Sequence, residues 1–392
     1  MAEPDRERWS LVRQAIEDTG LDALVCCLAE NIVLLSGYYS VTGASMAIFP
    51  RVGEPVLIAP RFEREFVDRG WIGDVREYDT WQNRYELPPA HLLRLARTVA
   101  EERGLRGGRI GIEGRFETIA PNGLSGEPTG LGVPGQALIG EAFACEPIDA
   151  TELLYELRAR KTAREIERLE IASEVASLGL IAFKEHAQPG NREVDVSAAV
   201  ESAVRVGGPG YRGARHAFAW AQVTSGPATA GNWNYPLSSA RRLERGDLVV
   251  IELGVVVDGY WSDLTRTVCA GTANQQKRDL FALVREAHAA STGAVRAGAT
   301  GVEVDAAGRS LIAATGLGDA FVHQTGHGIG FRYHEPIPFV APHSSHTLEA
   351  GHVHSIEPGV YIPGVGGCRI EDICVVETAR GRLISHAEFD LA

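Results

Sequence analysis

Residues 249–268 read VVIELGVVVDGYWSDLTRTV, and this stretch constrains the fold more than any other part of the chain. Its β-branched residues indicate two strands, and the pair Asp258-Gly259 between them is a strong signal for a two-residue hairpin turn. With that turn, Val257 lies opposite Tyr260. The stretch therefore predicts an antiparallel hairpin with a defined register.

The same register brings two acidic residues together. Counting outward from the turn places Glu252 opposite Thr265, and Asp263 then lies diagonal to Glu252 on the same face of the hairpin. Their Cβ atoms should be roughly 5–8 Å apart. Two carboxylates so close among apolar residues repel each other unless a positive group lies between them, which predicts a divalent cation.

Three later stretches carry further groups that bind metals: HQTGHGIGFRYHEP at 323–336, HSIEPGVY at 354–361 and CRIEDICVV at 368–376. Glu357 and Glu371 stand in strand-like apolar runs, where an unpaired carboxylate would cost several kcal/mol. The first stretch adds histidines among glycines, which allow backbone and ligand to approach closely. These stretches are candidates for the remaining parts of a metal site.

Four carboxylates and one imidazole suit Mn²⁺, Co²⁺, Fe²⁺ or Zn²⁺. Bridging carboxylates predict two ions about 3.5–4 Å apart, with a water or hydroxide between them. The alternative is a structural network in which Arg266 or Arg369 pairs with the acids and His327 is a core histidine. Four such stretches in one part of the chain favour the metal site.

The rest of the chain predicts two domains, 1–155 and 156–392. The first alternates helical and strand patterns: a helix from Asp5 to Asp18, a strand in 21–28, two strands around a glycine turn in 45–60, a helix over 91–104 and a strand after it. This is the pattern of an α/β domain. One long helical stretch over 151–187 leads into the second domain, which has further helices at 275–296 and 302–315.

Composition excludes some classes of function. A net charge of −13 and a pI near 5.5 argue against a nucleic-acid partner, and no apolar run approaches the length of a membrane span. Six cysteines without a CxxC pair indicate reduced thiols rather than a disulfide framework. We therefore expect a cytoplasmic protein.

The motifs ELG…DGYWSDLTRT, HQTGHGIG…HEP, IEPGVY and RIED, in this order, resemble the pita-bread metallopeptidase family M24, which contains Xaa-Pro aminopeptidase, Xaa-Pro dipeptidase (prolidase), methionine aminopeptidase and the related creatinase. The segment LDALVCCLAENIVLLSGYY resembles the creatinase-type N-terminal domain. The resemblance implies an α+β protein: an α/β N-terminal domain, then a pita-bread domain with pseudo-twofold symmetry. The pentapeptides at 251–255 and 356–360, IELGV and IEPGV, fit that symmetry. A homodimer is also implied.

Carried over residue by residue, the resemblance implies a function for each matching position. The metal ligands fall on Glu252, Asp263, His327, Glu357 and Glu371. Of these, Glu357 would also act as the base that orients or deprotonates the bridging water. His323 and His334 match two histidines that are not ligands, of which His334 contacts the substrate carbonyl and the developing oxyanion.

Substrate contacts follow from the same comparison. Arg369 matches the arginine of the RIED motif, and Tyr260 is a candidate for an aromatic wall, with Trp220 and Trp233, around a proline ring. Asn234 stands near the place of a substrate-contacting histidine.

Two positions depart from the family pattern. Glu252 stands where aspartate is usual, and its extra methylene shifts the carboxylate by more than about 1 Å. The expected consequence is that the first metal is displaced, bound more weakly or lost. Asn234 stands where histidine is usual, and asparagine cannot carry a proton.

The expected function is hydrolysis of Xaa-Pro bonds in short peptides, of the prolidase or aminopeptidase P type. The expected mechanism is attack by a hydroxide that bridges two divalent ions, Mn²⁺ first, with Co²⁺ or Zn²⁺ as alternatives. One alternative is a metal-independent, creatinase-like hydrolase of a small amidine or guanidino compound. Another is a non-catalytic pita-bread binding protein.

Overall fold

The structure is a computed structural model that describes residues 3–40, 45–79, 88–115, 133–231, 237–385, 387 and 390–391. Its contacts divide the described residues into two compact units, one up to Arg158 and the other from Ala159. The predicted boundary after residue 155 stays a prediction. Among the residues described, no helix is both long and apolar enough to cross a membrane.

The first unit is an α/β domain around one mixed sheet. Its strands lie in the order β4-β3-β2-β1-β5-β6, in which β1–β2 and β2–β3 are antiparallel and the other neighbours parallel. The elements are α1 (Arg6–Asp18), β1 (Ala23–Cys26), α2 (Ala29–Ser36), β2 (Met46–Pro50), β3 (Val56–Pro60), α3 (Arg64–Val67), β4 (Asp74–Tyr78), α4 (Pro88–Glu102), β5 (Ile110–Ile112), α5 (Val133–Phe143), β6 (Ile148–Asp149) and α6 (Thr151–Ala159). The predicted helices and strands of this domain are confirmed.

In the described residues of the second unit a pair of helices is followed by three strands, and a second pair of helices is followed by seven strands. The elements are α7 (Ala163–His186), α8 (Glu193–Gly207), β7 (Ala217–Ser225), β8 (Leu248–Val257), β9 (Tyr260–Cys269), α9 (Gln275–Ala294), α10 (Gly301–Ala314), β10 (Gly326–Gly328), β11 (Glu335–Val340), β12 (Val353–Ile356), β13 (Gly359–Ile362), β14 (Gly366–Arg369), β15 (Asp372–Val376) and β16 (Gly381–Leu383).

Two sheets form the centre of this unit. One has the order β7-β8-β9 and the other the order β11-β10-β12-β15-β16. The hairpin of β13 and β14 is inserted between β12 and β15. The backbone N–H of Glu371, just before β15, donates to the carbonyl of Thr265 in β9 at 3.0 Å, so the two sheets are joined beside the acidic residues.

The predicted long helix over 151–187 is wrong as a single element. The chain leaves the helical conformation after α6 and restarts at Thr162, the N-cap of α7. The Thr162 hydroxyl accepts from the Glu165 N–H at 3.3 Å, and the Glu165 carboxylate accepts from the Thr162 N–H at 2.8 Å. This capping box satisfies two donors that would otherwise lack partners, and charge periodicity across the break did not reveal it.

We expect Thr162→Ala to loosen the first turn of α7 by about 1 kcal/mol, because the cap hydroxyl is lost. Amide hydrogen exchange at Glu165 and Ile166 should accelerate about fivefold, since 1.4 kcal/mol corresponds to a factor of ten. Thr162→Ser, which keeps a hydroxyl, is the matched control. Unchanged exchange in the alanine variant would contradict the capping role.

Candidate metal centre

The β8–β9 hairpin has the predicted register. Val257 pairs with Tyr260. Asp258 and Gly259 form the turn with φ of +48° and +91°, the left-handed conformations that a tight hairpin needs. Glu252 pairs with Thr265, as predicted.

Asp263 lies diagonal to Glu252, because its direct partner is Gly254. Both acidic residues are buried, with 1% of Asp263 and 7% of Glu252 exposed. The hairpin therefore holds two carboxylates on one face inside the domain, and this prediction is confirmed.

The second sheet contributes the other groups. His327 lies in β10, Glu357 directly follows β12, and Glu371 directly precedes β15. The two glutamates thus stand at strand ends rather than within strands. For Glu357 one reason is that the next residue, Pro358, has no N–H for the ladder. The Glu357 N–H donates to the carbonyl of Thr325 at 2.7 Å, which fixes its position beside β10.

All of these side chains converge on one buried space. Their donor atoms fall into three groups whose members lie within 4.8 Å of one another: Asp263, His327 and His334; His327, Glu357 and Glu371; Glu252, Asp263 and Glu371. Each member is buried. The five predicted metal ligands are therefore brought together, with His334 beside them.

The tautomer of His327 is set by its backbone contact. Its Nδ1 lies 2.9 Å from the carbonyl of Gly328, which can only accept, so Nδ1 carries the hydrogen. In the neutral imidazole Nε2 then presents a lone pair, at 3.4 Å from Asp263 Oδ2 and 3.6 Å from Glu357 Oε1. Three acceptors that face one another in this way form a cation site.

The buried carboxylates repel one another and need a positive charge beside them. Burial raises the pKa of Glu357 well above its usual value, and the charges of Glu371 and Asp263 raise it further. Glu371 Oε1 is buried without a hydrogen-bond partner in the described part of the chain. Oxygen and imidazole donors of this kind fit a hard or borderline divalent ion.

Glu252 is held differently from the other ligands. Its Oε1 accepts from the Tyr333 hydroxyl at 2.7 Å, and that hydroxyl also lies 2.6 Å from Asp263 Oδ1. Its Oε2 contacts the Arg369 guanidinium and lies 3.1 Å from the Thr265 hydroxyl. An ion pair of Arg369 with one of the acids, which belongs to the structural alternative, is thus present at Glu252, and the predicted substrate contact of Arg369 stays a prediction.

His323 and His334 occupy different positions. The Nδ1–H of His323 donates to the carbonyl of Gln324 at 2.7 Å, and its Nε2 accepts from the Tyr361 hydroxyl at 2.9 Å. Burial lowers the pKa of His323 to about 4, so it is neutral at pH 7. His334 packs edge-on against His327 with ring centroids 4.4 Å apart, within reach of a group bound at the centre.

Only some of the residues predicted to contact the substrate lie in the described part of the chain. Tyr260 is buried at the turn end of β9 and packs against Phe331 at 5.4 Å between ring centroids. Trp220 packs against Tyr333 at 5.0 Å. Asn234 and Trp233 lie outside the described residues, and the roles of all these positions stay predictions.

Sequence reasoning missed Tyr333, Tyr361 and the bonds of Thr265. The hairpin register predicts Thr265 opposite Glu252 but not the hydrogen bonds of the Thr265 side chain. Its hydroxyl lies 2.7 Å from Glu371 Oε2 and accepts from Arg369 Nε at 2.9 Å, so it links three charged groups. The sequence signal for both tyrosines is their place in the motifs: Tyr333 directly precedes His334, and Tyr361 ends HSIEPGVY.

Two sheets that present carboxylates and an imidazole to one buried point form a site suited to a metal-dependent hydrolase. Metallopeptidase family M24 matches residues 167–378, and the creatinase/prolidase N-terminal domain matches residues 8–160. The chain belongs to metallopeptidase family M24 and is a peptidase.

Relatives and solved structures agree with this assignment. The chain is 36% identical to the Xaa-Pro dipeptidase of Pyrococcus furiosus over 240 residues, which are 61% of this chain and 67% of that protein. It is 31% identical to the probable dipeptidase PepE of Mycobacterium tuberculosis over 390 residues, 96% of this chain and 92% of that one. The structure of a Xaa-Pro dipeptidase from Bacillus anthracis matches with a TM-score of 0.79 and 26% identity, over 98% of this chain and 99% of that one.

We expect divalent metal to stabilise the folded protein, because an ion relieves the repulsion among these carboxylates. At a free Mn²⁺ concentration 100 times Kd the free energy of unfolding should rise by about 2.7 kcal/mol. Thermal unfolding of chelated protein with and without added Mn²⁺ measures this. His327→Gln should remove the effect, and His343→Gln, at an exposed histidine, should keep it. A wild-type protein that Mn²⁺ does not stabilise would contradict the metal centre.

Proposed function

We propose that this peptidase hydrolyses the Xaa-Pro bond of short peptides, dipeptides first, with Mn²⁺ as its metal. The observation that carries the proposal is the convergence of the His327 Nε2 lone pair with the carboxylates of Asp263, Glu357 and Glu371 in a buried space. The choice of substrate is supported by the relatives named as Xaa-Pro dipeptidases.

A divalent ion bound here would supply Lewis acidity, which acidifies a water and polarises the scissile carbonyl. Glu357 takes the proton of the attacking water. Its Oε1 lies 3.2 Å from the Ser355 hydroxyl and 3.4 Å from the Gln324 side-chain amide, and both donors orient the carboxylate. A carboxylate oriented in this way, within hydrogen-bond reach of the attacking water, suits a general base.

His334 stabilises the oxyanion that develops on the substrate carbonyl. Its ring lies between His327 and Tyr333, at 4.4 and 4.6 Å between centroids, so its position is fixed by packing. A donor fixed in this way needs no reorganisation during the reaction, and losing one such donor usually costs about 10²–10³ in kcat.

His323 supports Glu357 rather than exchanging protons itself. Its Nδ1 lies 3.8 Å from Glu357 Oε2, and both ring nitrogens are engaged with Gln324 and Tyr361. Arg309 donates to the His323 carbonyl at 2.7 Å and to Asp305, so the histidine is anchored from α10. We assign His323 a positioning function.

The proposal includes a homodimer in the cytoplasm, as the sequence predicts. Sedimentation equilibrium of the full chain at micromolar concentration should give twice the mass of one chain, 42.2 kDa. A single-chain mass throughout the concentration range would contradict the dimer.

Chelated protein should be inactive on Ala-Pro and Met-Pro, and Mn²⁺ should restore hydrolysis more than Co²⁺ or Zn²⁺. Ala-Ala is the control substrate, and the tripeptide Ala-Pro-Ala separates a dipeptidase from an aminopeptidase. Glu357→Gln at saturating metal should lower kcat by about 10²–10⁴, whereas Glu286→Gln, at an exposed position on α9, should leave it unchanged.

Two results would contradict the proposal. Hydrolysis of Ala-Pro by a metal-depleted protein, undiminished by chelator, would favour the metal-independent, creatinase-like alternative. A folded, metal-loaded protein that cleaves none of these peptides would favour a different substrate or the binding protein.

A further inference from the structure

Tyr333 places its hydroxyl between the two carboxylates of the hairpin. The hydroxyl oxygen lies 2.7 Å from Glu252 Oε1 and 2.6 Å from Asp263 Oδ1, and Tyr333 is fully buried. An ion shared by these two oxygens would stand about 2.0–2.2 Å from each of them. The phenol O–H therefore competes with such an ion for the same two carboxylate oxygens.

The position of the Tyr333 ring is fixed from several sides. Trp220 and Trp261 meet it edge-on, with ring centroids at 5.0 and 5.8 Å. The backbone N–H of Trp261 donates to the Gly330 carbonyl at 2.8 Å, which ties the segment before Tyr333 to β9. A Cβ at Gly254 would meet both the Trp220 and Tyr333 rings, so the glycine makes room for them.

Arg369 supplies the charge that this half of the centre needs. Its guanidinium contacts Glu252 Oε2 and donates through Nε to the Thr265 hydroxyl at 2.9 Å. One guanidinium and one phenol O–H therefore act on two carboxylates. The repulsion between Glu252 and Asp263 is reduced by groups of the chain itself.

In the other half of the centre the donors that the structure describes are neutral: the Thr265 hydroxyl lies 2.7 Å from Glu371 Oε2, and the Ser355 hydroxyl lies 3.2 Å from Glu357 Oε1. Glu371 Oε1 has no hydrogen-bond partner among the described residues, and the His327 Nε2 lone pair faces Asp263 Oδ2 and Glu357 Oε1. There the convergent atoms are acceptors, and a cation is what satisfies them.

We propose that the Tyr333 hydroxyl takes the place of one ion at Glu252 and Asp263, so that the chain holds a single tightly bound ion near His327, Glu357 and Glu371. This inference rests on the proposed metallopeptidase site and deepens it. It replaces the expectation of two ions for this chain, and it gives Glu252 a function as a hydrogen-bond and ion-pair acceptor rather than a ligand.

The test counts Mn²⁺ by isothermal titration calorimetry of chelated full-length protein. Wild type should bind one tight equivalent. Tyr333→Phe keeps the ring and its packing but removes the hydroxyl, so it should gain a second equivalent, bound more weakly. Tyr78→Phe is the matched control, since Tyr78 is also buried but lies in β4 of the first unit, and it should keep the wild-type count.

Electron paramagnetic resonance of the Mn²⁺-loaded proteins gives a second readout. A single ion should give the six-line spectrum of isolated Mn²⁺, and the Tyr333→Phe protein should show an exchange-coupled pair. Both readouts are independent of peptidase activity.

Several results would overturn the proposal. Wild type with two equivalents of similar affinity and a coupled spectrum would show that the hydroxyl does not exclude the ion. A Tyr333→Phe protein that binds less metal than wild type would make Tyr333 a ligand. An unchanged number of bound ions would show that the hydroxyl does not exclude the second ion. A folded wild type that binds no Mn²⁺ would overturn the metal site, whereas one bound ion without Xaa-Pro cleavage would overturn only the proposed substrate.

Discussion

The repulsion among buried carboxylates is the constraint on which the rest of this structure depends. Asp263, Glu357 and Glu371 are all at most 5% exposed and approach within a few ångströms of one another. Two unit charges about 4 Å apart repel by about 4 kcal/mol at an effective dielectric constant of about 20, comparable with the net stability of many domains. Such a cluster persists only where the scaffold is rigid and positive charge is supplied.

The requirement for a rigid scaffold is met by two sheets. One sheet contributes the carboxylates of a tight hairpin, and the other contributes His327 from a strand and two glutamates from strand ends. The hydrogen bond from the Glu371 N–H to the Thr265 carbonyl joins them at the centre. The Arg369 guanidinium and the hydrogen bond of the Tyr333 hydroxyl reduce the repulsion between the hairpin carboxylates, and we propose a cation for the acceptors around His327.

How much of the structure can be predicted from the sequence depends on how far apart in the chain the interacting residues lie. The hairpin register follows from a local turn and period-two alternation, so the pairing of Glu252 with Thr265 was predictable. The break before Thr162 is also local, but two side chains rather than periodicity encode it. Tyr333 lies in an irregular segment, and its partners are 81 and 70 residues away, so no period places its hydroxyl between two carboxylates. Asn234 lies outside the described residues, and its effect stays a prediction.

The central claim is that this centre needs a cation at His327 but not at the hairpin. Anomalous diffraction at the manganese absorption edge, from crystals of Mn²⁺-loaded protein, locates ions directly. The account predicts one strong peak about 2.0–2.2 Å from His327 Nε2 and the nearest carboxylate oxygens, with the Tyr333 hydroxyl still between Glu252 and Asp263. Two peaks of equal height, or an empty centre, would contradict it.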